Sequence, residues 1–342
     1  MKISRPLLCL LLLVSVAAFC ANHPYTAVDI GAPQGFAFAQ PQAINASGQI
    51  TGATGPGGDS GIGDVFIYSN GSFTNLGTLG GKTGIGNAIN SSAQVSGYST
   101  DAENGYHAFI SSGDTLVNIG DLGGGSAVAY GINDSGQVVG SSVTPDGSNH
   151  PFLYSNGQMI DLGTLGSPEG SLWWNSAEGI NKAGVVTGYG YTADSGLSGF
   201  TWSNGVMTAL PNLGAEWTEA YAINNNGQVT GISQTRSGLS HAFIANPDGS
   251  IKDLGAIGGK YAASWGLAIN DAGVVVGRVE TDAGAYVAFI YNGKKMQSLG
   301  NLIKKIPGIT LIEADGINNV GQIICTGQDA SGNLHSILLT PQ

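Results

Sequence analysis

The stretch AYGINDSGQVVGSSVTPDGSNHPFLYSNGQMIDLGTLG, residues 129–166, contains the pattern that decides the fold. Four short runs rich in Val, Ile and aromatic residues alternate in it with connectors rich in Asn, Gly and Ser. Such runs are typical of β-strands, and Asn and Gly accept the positive φ angles of tight hairpin turns. The segment therefore predicts a four-stranded antiparallel meander, with no helical period flanked by caps.

The same unit recurs along the whole chain. The tripeptide [AG]-I-N occurs seven times at spacings of 43 to 48 residues, with its Asn at positions 45, 90, 133, 181, 224, 270 and 318. A Gly follows three residues later in every copy but the second, which has Ala93. Seven units of this length and strand content predict an all-β, seven-bladed β-propeller. An open β-solenoid is the alternative.

The two ends of the chain indicate how such a ring would close. The last repeat stops after its third strand, whereas residues 25–31 resemble the fourth strand of the unit at residues 159–163. Pairing the N-terminal strand with the last repeat would complete the seventh blade and remove the open sheet edges. We therefore expect residues 22–342 to form a single seven-repeat domain.

Two tripeptides and the segments after them carry a family resemblance. His107-Ala108-Phe109 and His241-Ala242-Phe243, with NLGTLGG at 75–81 and DLGAIGG at 253–259, resemble the HAF repeat of bacterial extracellular proteins. The resemblance covers essentially the whole mature chain, and the motif departs at residues 150–152, 199–200 and 287–289. It implies export and a repeat fold, and it implies no established activity.

The N-terminus has the layout of a secretory signal peptide. Lys2 and Arg5 precede an apolar run at residues 7–19, which is too short to span a bilayer, and small residues follow near Ala21. We expect residues 1–21 to be removed and the protein to be exported, to the periplasm, the cell surface or the medium. A lipoprotein acylated at Cys20 is the alternative, although Phe19 is a poor match for the small residue expected there.

Composition excludes several classes of function. Lys and Arg total 12 against 23 Asp and Glu, for a net charge of −11, so the chain lacks a surface that would neutralise nucleic-acid phosphates. No later stretch is apolar enough for a membrane helix. Cys325 is the one cysteine far from the signal segment, so the core, without a disulfide framework, must hold the fold. A monomer without a cofactor is expected.

The two ends of each predicted meander differ in loop length, which suggests where ligands bind. Tight turns join strands 1 to 2 and 3 to 4, and the long loops all fall at the opposite end, the loop face. Aromatic residues are concentrated there, and flat rings suit stacking on sugars with neighbouring carboxylates bonded to hydroxyls. Wedging of the rings between blades is the competing interpretation. The candidate ligand-binding residues are Phe36, Phe38, Trp173, Trp174, Trp217, Tyr261, Trp265, Glu216 and Glu219.

Two further side-chain patterns recur in the repeats. Four His residues, at 107, 150, 241 and 335, share the slot before the third strand, where a structural hydrogen bond is expected. An Asp recurs in the loop between strands 2 and 3, at positions 59, 101, 146, 194, 282 and 329. We expect these carboxylates to form turns, because no loop gathers the six to eight oxygens that calcium requires. No metal site is predicted.

Catalysis has little support in the sequence. Nucleophile-elbow, zinc-protease, phosphate-loop and dinucleotide motifs are all missing. Carboxylates for glycoside cleavage are available at Glu169, Glu178, Glu216, Glu219 and Glu313, but the sequence does not show which of them meet. We predict a secreted, non-enzymatic binding module with a glycan or a surface protein as partner. A polysaccharide hydrolase or lyase and a purely structural envelope or matrix protein are the alternatives.

Overall fold

Seven antiparallel sheets of four strands each form a β-propeller in a computed structural model of the chain. The structure describes residues 24–55, 63–167, 175–194 and 196–342. Residues 1–23 lie outside this range, so the expected signal peptide is not part of the structure. Within the described residues, no helix has the length and apolar character needed to cross a membrane. The prediction of a seven-bladed propeller is confirmed.

The strands follow one another in chain order within each blade. Blade 1 contains β2 (Phe38–Ile44), β3 (Ile50–Gly55), β4 (Val65–Ser69) and β5 (Ser72–Gly77). Blade 2 contains β6 (Gly84–Ile89), β7 (Val95–Thr100), β8 (Tyr106–Ser112) and β9 (Thr115–Asn118). Blade 3 contains β10 (Ala127–Ile132), β11 (Val138–Val143), β12 (Asn149–Ser155) and β13 (Gln158–Asp161). Blade 4 contains β14 (Ser176–Ile180), β15 (Val186–Tyr191), β16 (Leu197–Ser203) and β17 (Val206–Ala209).

The remaining three blades continue the same order up to the seam. Blade 5 contains β18 (Gly214–Ile223), β19 (Val229–Thr235), β20 (Ser240–Ala245) and β21 (Ile251–Asp253). Blade 6 contains β22 (Ala263–Ile269), β23 (Val275–Glu280), β24 (Tyr286–Tyr291) and β25 (Met296–Ser298), followed by a single 3-10 turn at Leu299–Asn301. Blade 7 contains β26 (Ile309–Ile317), β27 (Ile323–Asp329), β28 (Leu334–Pro341) and the N-terminal strand β1 (Tyr25–Asp29).

The N-terminal strand closes the ring, as the sequence predicted. β1 pairs antiparallel with β28 in a register that places Tyr25 opposite Pro341 and Asp29 opposite Ile337. The pairing continues past the strand, where the Ile30 amide donates to the carbonyl of Ser336 at 2.9 Å. The two ends of the chain therefore share one sheet, which leaves the last repeat without an unpaired edge at the seam.

Six of the seven blades have the same close contact between their first two strands. The second strand carries a Gly where an ideal Cβ would lie only 1.9–2.0 Å from a carbonyl oxygen of the first strand, at Gly52, Gly97, Gly140, Gly188, Gly231 and Gly277. In blade 7 this slot holds Cys325. There β26 carries an additional bulge between Leu311 and Glu313 that the first strands of the other blades lack at this point. The sequence expectation that a small residue occupies this slot is confirmed, and the extra bulge coincides with the larger side chain.

The blades pack through aromatic side chains of their third strands. Six blades bury a Phe there completely, at positions 66, 109, 152, 200, 243 and 289, and blade 7 buries Ile337 in the same place. The Phe is the last residue of the H-A-F pattern where that pattern is complete. This side chain explains how a domain without a disulfide holds seven similar sheets together.

The repeated Asn links each blade to the next. Its Oδ1 accepts backbone amides within its own turn, as Asn133 does from Ser135 and Gln137. Its Nδ2 donates to the backbone carbonyl of the equivalent Asn in the following blade, at 2.9–3.3 Å in all seven copies. The role in the turn was predicted, whereas the bond between blades was not.

Candidate functional site

An axial channel runs where the first strands of the seven blades meet. Each first strand has a β-bulge, and the extra residue of the bulge lies three positions before the repeated Asn. These seven residues, together with Glu313, line a cavity of about 300 Å³. They are Gln42, Asn87, Tyr130, Glu178, Tyr221, Leu267 and Asp315. The first strand of the unit is thus the one nearest the axis, which sequence reasoning left open.

Carboxylates and tyrosines make up most of the channel wall. Glu178 and Tyr221 come from neighbouring blades, and the Tyr221 hydroxyl donates to Glu219 of its own strand. The ring of Tyr189 meets that of Tyr221 edge to face, with centroids 6.3 Å apart. In blade 7 the hydroxyl of Thr326 donates to Asp315 at 3.1 Å. The bulge thus gathers acceptor groups and aromatic surfaces from separate repeats at one place.

Burial sets the electrostatics of this channel. Burial raises the pKa of Glu178 to about 7; a smaller lowering by Ser176 opposes it, and the nearby Glu219 charge adds a still smaller rise. Burial followed by the charge of Glu313 raises the pKa of Asp315 well above its usual value. The pKa of the Tyr221 phenol is raised as well, by burial first and then by Glu219. At neutral pH Glu178 is therefore present in both its protonated and its ionised form.

One arginine neutralises part of this charge. Arg278 Nη1 lies 2.7 Å from Glu313 Oε2. Its guanidinium stands between the rings of Trp265 and Tyr286, 5.1 Å from each ring centroid. Cation–π contact on both sides fixes the arginine and occupies one face of each ring. That face of Trp265 is consequently not open to a ligand.

The described candidate aromatics lie in several environments. Tyr261 is in a loop and 69% exposed, and its amide and that of Lys260 donate to Asp282. Trp217 and Trp265 belong to the first strands β18 and β22, and Phe38 begins β2, so the prediction that they lie in loops is wrong. The first strands extend further than their turn residues indicated because they keep pairing with the second strands. Phe36 and Phe38 are half-buried.

Part of the candidate set falls outside the described residues. Trp173, Trp174 and Glu169 belong to residues 168–174, and the side chain of Glu216 is likewise outside the description. Of the carboxylates considered for glycoside cleavage, Glu178 and Glu313 line the channel and Glu219 is bonded to Tyr221 beside it. The structure brings these three together from blades 4, 5 and 7.

The recurring His and Asp residues are structural. His150, His241 and His335 each bond an Asp at the end of the fourth strand of their blade, at 2.8–3.0 Å. His107 instead bonds Asp101 at 2.7 Å. Loop Asp residues accept nearby backbone amides, as Asp329 does from Ser331 and Asn333. Asp59 lies outside the described residues. In the part of the chain that is described, no three His, Cys, Asp or Glu residues are placed to hold a metal ion.

The residue of each repeat that lines the channel was not predicted, although the sequence around it follows a recognisable pattern. The residue three positions before the repeated Asn is Tyr in blades 3 and 5, and it is a different residue type in each of the other five blades. Small residues flank it on both sides, except in blade 1, where Pro41 precedes it and Ala43 follows it. Ala177-Glu178-Gly179 and Ala314-Asp315-Gly316 are examples. Small flanking residues allow the first strands to approach the axis, whereas the variable residue projects into the channel.

The comparisons with known proteins show the fold. No protein-family model matches the sequence, and no curated protein is similar to it. A puromycin-hydrolysing peptidase from Mycobacterium tuberculosis superposes with a TM-score of 0.57 at 11% identity, covering 88% of this chain and 50% of its own. YCF48 bound to D1 peptide superposes with a TM-score of 0.50 at 13% identity, covering 93% and 96%. A fucose-binding lectin from Aleuria aurantia reaches only 0.39 at 15% identity, covering 74% and 94%.

These similarities establish the fold class of the chain and no more specific property. The chain spans about half the length of the peptidase it resembles. At identities of 11–13% the two structures with TM-scores of 0.50 and above show the fold alone, a β-propeller. The propeller fold is compatible with a binding module, and any ligand has to be argued from the residues of the chain itself.

Proposed function

We propose that this protein is an exported carbohydrate-binding module whose site is the axial channel. The observation that carries the proposal is the meeting of Tyr130 and Tyr221 with the carboxylates of Glu178, Asp315 and Glu313 around one cavity. Aromatic faces stack on the C–H faces of sugar rings, and carboxylate oxygens accept hydrogen bonds from sugar hydroxyls. A volume of about 300 Å³ is within the range of small-molecule sites.

The charge of the chain supports a neutral or basic glycan over an anionic one. Acidic residues outnumber Lys and Arg 23 to 12, and Arg278 is already engaged with Glu313. An anionic glycan would meet like charge in the channel without a cation to compensate its desolvation. Trp217 and the exposed Tyr261 are further stacking surfaces towards the loop face.

A glycan-array screen of the purified protein tests the proposal. The matched variants are Tyr221→Phe with Glu219→Gln, which removes the hydroxyl and the charge but keeps the shapes, and Glu103→Gln on the exposed surface. We expect selective binding by the parent protein and by the Glu103 variant, and weaker binding by the channel double variant. Equal binding by all three proteins would place the glycan elsewhere, and no binding by any of them would remove the proposal.

A second candidate, glycoside cleavage, rests on one specific observation. Glu178, with a pKa raised to about 7, lies near Glu219, which accepts a hydrogen bond from Tyr221. Two carboxylates in different environments are the arrangement that acid–base cleavage of a glycosidic bond uses. Release of reducing ends from an array-positive glycan, lost in Glu178→Gln, would establish this activity. Binding without any release would leave the binding module alone.

A further inference from the structure

A second cavity opens between blades 2 and 3 and has a different chemistry from the channel. It has a volume of about 370 Å³, and Tyr130 belongs to the walls of both cavities, so the two meet at this ring. The other lining residues come from the loop-face ends of the strands in both blades. They are Tyr98, Tyr106, Ser126, Ala127, Val128, Ser141, Val143 and Asn149. We call this cavity the tyrosine cleft.

Aromatic and apolar surfaces form the walls of the tyrosine cleft. The rings of Tyr98 and Tyr106 are tilted by 48° with centroids 5.7 Å apart, which makes an angled wall on the blade 2 side. Val128 and Val143 contribute apolar surface from blade 3. Tyr106 remains 49% exposed, although a large aromatic ring gains by burial. The wall is thus shaped to accept a flat ligand with apolar faces.

Polar groups of the cleft lack partners within the protein. In the described part of the chain, the hydroxyls of Tyr98, Tyr106 and Tyr130 make no hydrogen bond, and neither does the side-chain amide of Asn149 as a donor. Polar groups at such half-buried positions are normally satisfied by protein, water or ligand. Since these four groups line one cavity, they offer donors and acceptors to a polyhydroxylated ligand.

None of the lining residues of the tyrosine cleft carries a charge. A carboxylate or ammonium group that entered it would lose its hydration without gaining an ionic partner, which disfavours charged ligands. The equivalent place in blade 6 is different, because Arg278 stands there between Trp265 and Tyr286 and fills the gap between the rings. The tyrosine cleft between blades 2 and 3 is thus open, whereas Arg278 fills the equivalent place in blade 6.

We infer that the tyrosine cleft is a subsite for one uncharged pyranose ring of a glycan whose neighbouring unit lies in the axial channel. The inference rests on the proposed function and extends it by a second sugar position with its own selectivity. The ring stacks on Tyr106 and Tyr98, and its hydroxyls bond the free phenols and the Asn149 amide. Tyr130 contacts both units because it lines both cavities.

Saturation-transfer NMR on the full chain tests this inference, with the methyl glycosides of glucose, galactose, mannose and glucuronic acid as probes. We expect transfer to at least one neutral glycoside and none to the glucuronide. Tyr106→Ala should weaken binding of that glycoside about fivefold or more, which corresponds to the loss of one aromatic stacking contact. Tyr106→Phe should keep most of it, and Val206→Ala, at an exposed position that lines neither cavity, should bind as the parent does.

Each other outcome overturns the inference in a recognisable way. Binding that is unchanged in Tyr106→Ala and in Val143→Trp, which fills the cleft, would refute the subsite while leaving glycan binding in the channel intact. Equal transfer to the glucuronide would refute the uncharged selectivity. No transfer to any glycoside, together with a negative glycan array, would overturn the proposed function and the subsite together.

Discussion

The side-chain amide of Asn318 donates to the backbone carbonyl of Asn45 at 3.0 Å, across 273 residues of sequence. The same bond joins every other pair of neighbouring blades, so a single residue type forms a continuous ring around the axis. Both Asn residues are about 95% buried, at 5% exposure each. Removing a buried side-chain amide that is hydrogen-bonded through both its oxygen and its nitrogen costs more stability than losing an average hydrogen bond, because the groups it bonded lose those partners.

Asn318→Ala should therefore destabilise the ring closure. The substitution removes the bond to Asn45, whose carbonyl then keeps only the bond from the Gly48 amide, and it removes the bonds to Gln322, whose backbone amide loses its acceptor. We expect a loss of about 2–4 kcal/mol in the free energy of unfolding, measured with urea. Asn118→Ala, which removes one exposed acceptor of a backbone amide, should cost less than about 1 kcal/mol. A similar loss of stability in both variants would contradict a special role for the ring of Asn hydrogen bonds.

The glycine slot of the second strand offers a steric test. In Gly140→Ala the new Cβ would lie about 2.0 Å from the Val128 carbonyl oxygen, which neither strand can avoid without breaking its pairing. We expect a loss of about 3 kcal/mol or more in thermal or urea unfolding. Gly300→Ala has its nearest neighbour at 3.6 Å and should change stability by less than about 1 kcal/mol. A stable Gly140→Ala protein would show that the strands separate more easily than their geometry indicates.

The His–Asp pairs predict a loss of stability in acid. Burial acts to raise the pKa values of Asp161 and Asp253, but the hydrogen bonds from His150 and His241 and from backbone amides outweigh it, and both pKa values are lowered. A carboxyl with a lowered pKa contributes stability above its unfolded pKa of about 3.9, and this contribution disappears as the pH falls through the folded pKa. Replacing both Asp residues by Asn should lower the free energy of unfolding at pH 6. Below about pH 4 the free energies of unfolding of the double variant and the parent should differ less.

Urea unfolding at several pH values between 6 and 2.5 measures this effect. Asp114→Asn is the control, because Asp114 is exposed and makes no side-chain hydrogen bond to the described residues. A difference between parent and double variant that widened below pH 4 would have the wrong sign for the proposed pairing.

Glu178 predicts a pH dependence of the opposite sign. Because burial raises its pKa to about 7, folding favours the protonated form, whereas the unfolded chain ionises near pH 4.3. Its contribution to stability is therefore complete below about pH 4 and is lost as the pH rises to about 7. Glu178→Gln should gain stability relative to the parent at pH 8, by up to about 3 kcal/mol, and little at pH 4.

Differential scanning calorimetry at pH 4, 6 and 8 measures the Glu178 effect. The exposed Glu103→Gln provides a variant with the same change of charge away from the channel. A Glu178→Gln variant less stable than the parent at pH 8 would show that the ionised carboxylate is well solvated or paired in the folded protein.

The repeat and its turns were enough to predict the ring, because each local signal agreed with the others. N-x-x-G turns, short β-branched runs and the orphan strand at Tyr25 all indicated one closed meander array. The burial of Phe109 and its equivalents follows from the same pattern. Such consistency between local preference and global fold makes an architecture readable from one sequence.

The channel was not predicted because it depends on a bulge. Regular alternation places Tyr130 and Ile132 on the same face of a strand, and the small residues that flank Tyr130 do not by themselves show that an extra residue interrupts this alternation. The candidate site was therefore sought among aromatics in the loops, while Glu178 and Glu313 appeared only as carboxylates of unknown separation. Strands β18 and β22 also continue through Trp217 and Trp265, where loop residues were expected.

The residue that each bulge contributes to the channel is not one of the residues that fix the blade. The turn Asn, the slot Gly and the packed Phe fix each blade, and they occupy other positions of the repeat than the bulge residue that lines the channel. Each blade contributes one such side chain, so seven positions, together with Glu313, determine the chemistry of the channel wall. A family of such rings would conserve its scaffold and diversify its ligand by substitution at a single position per repeat.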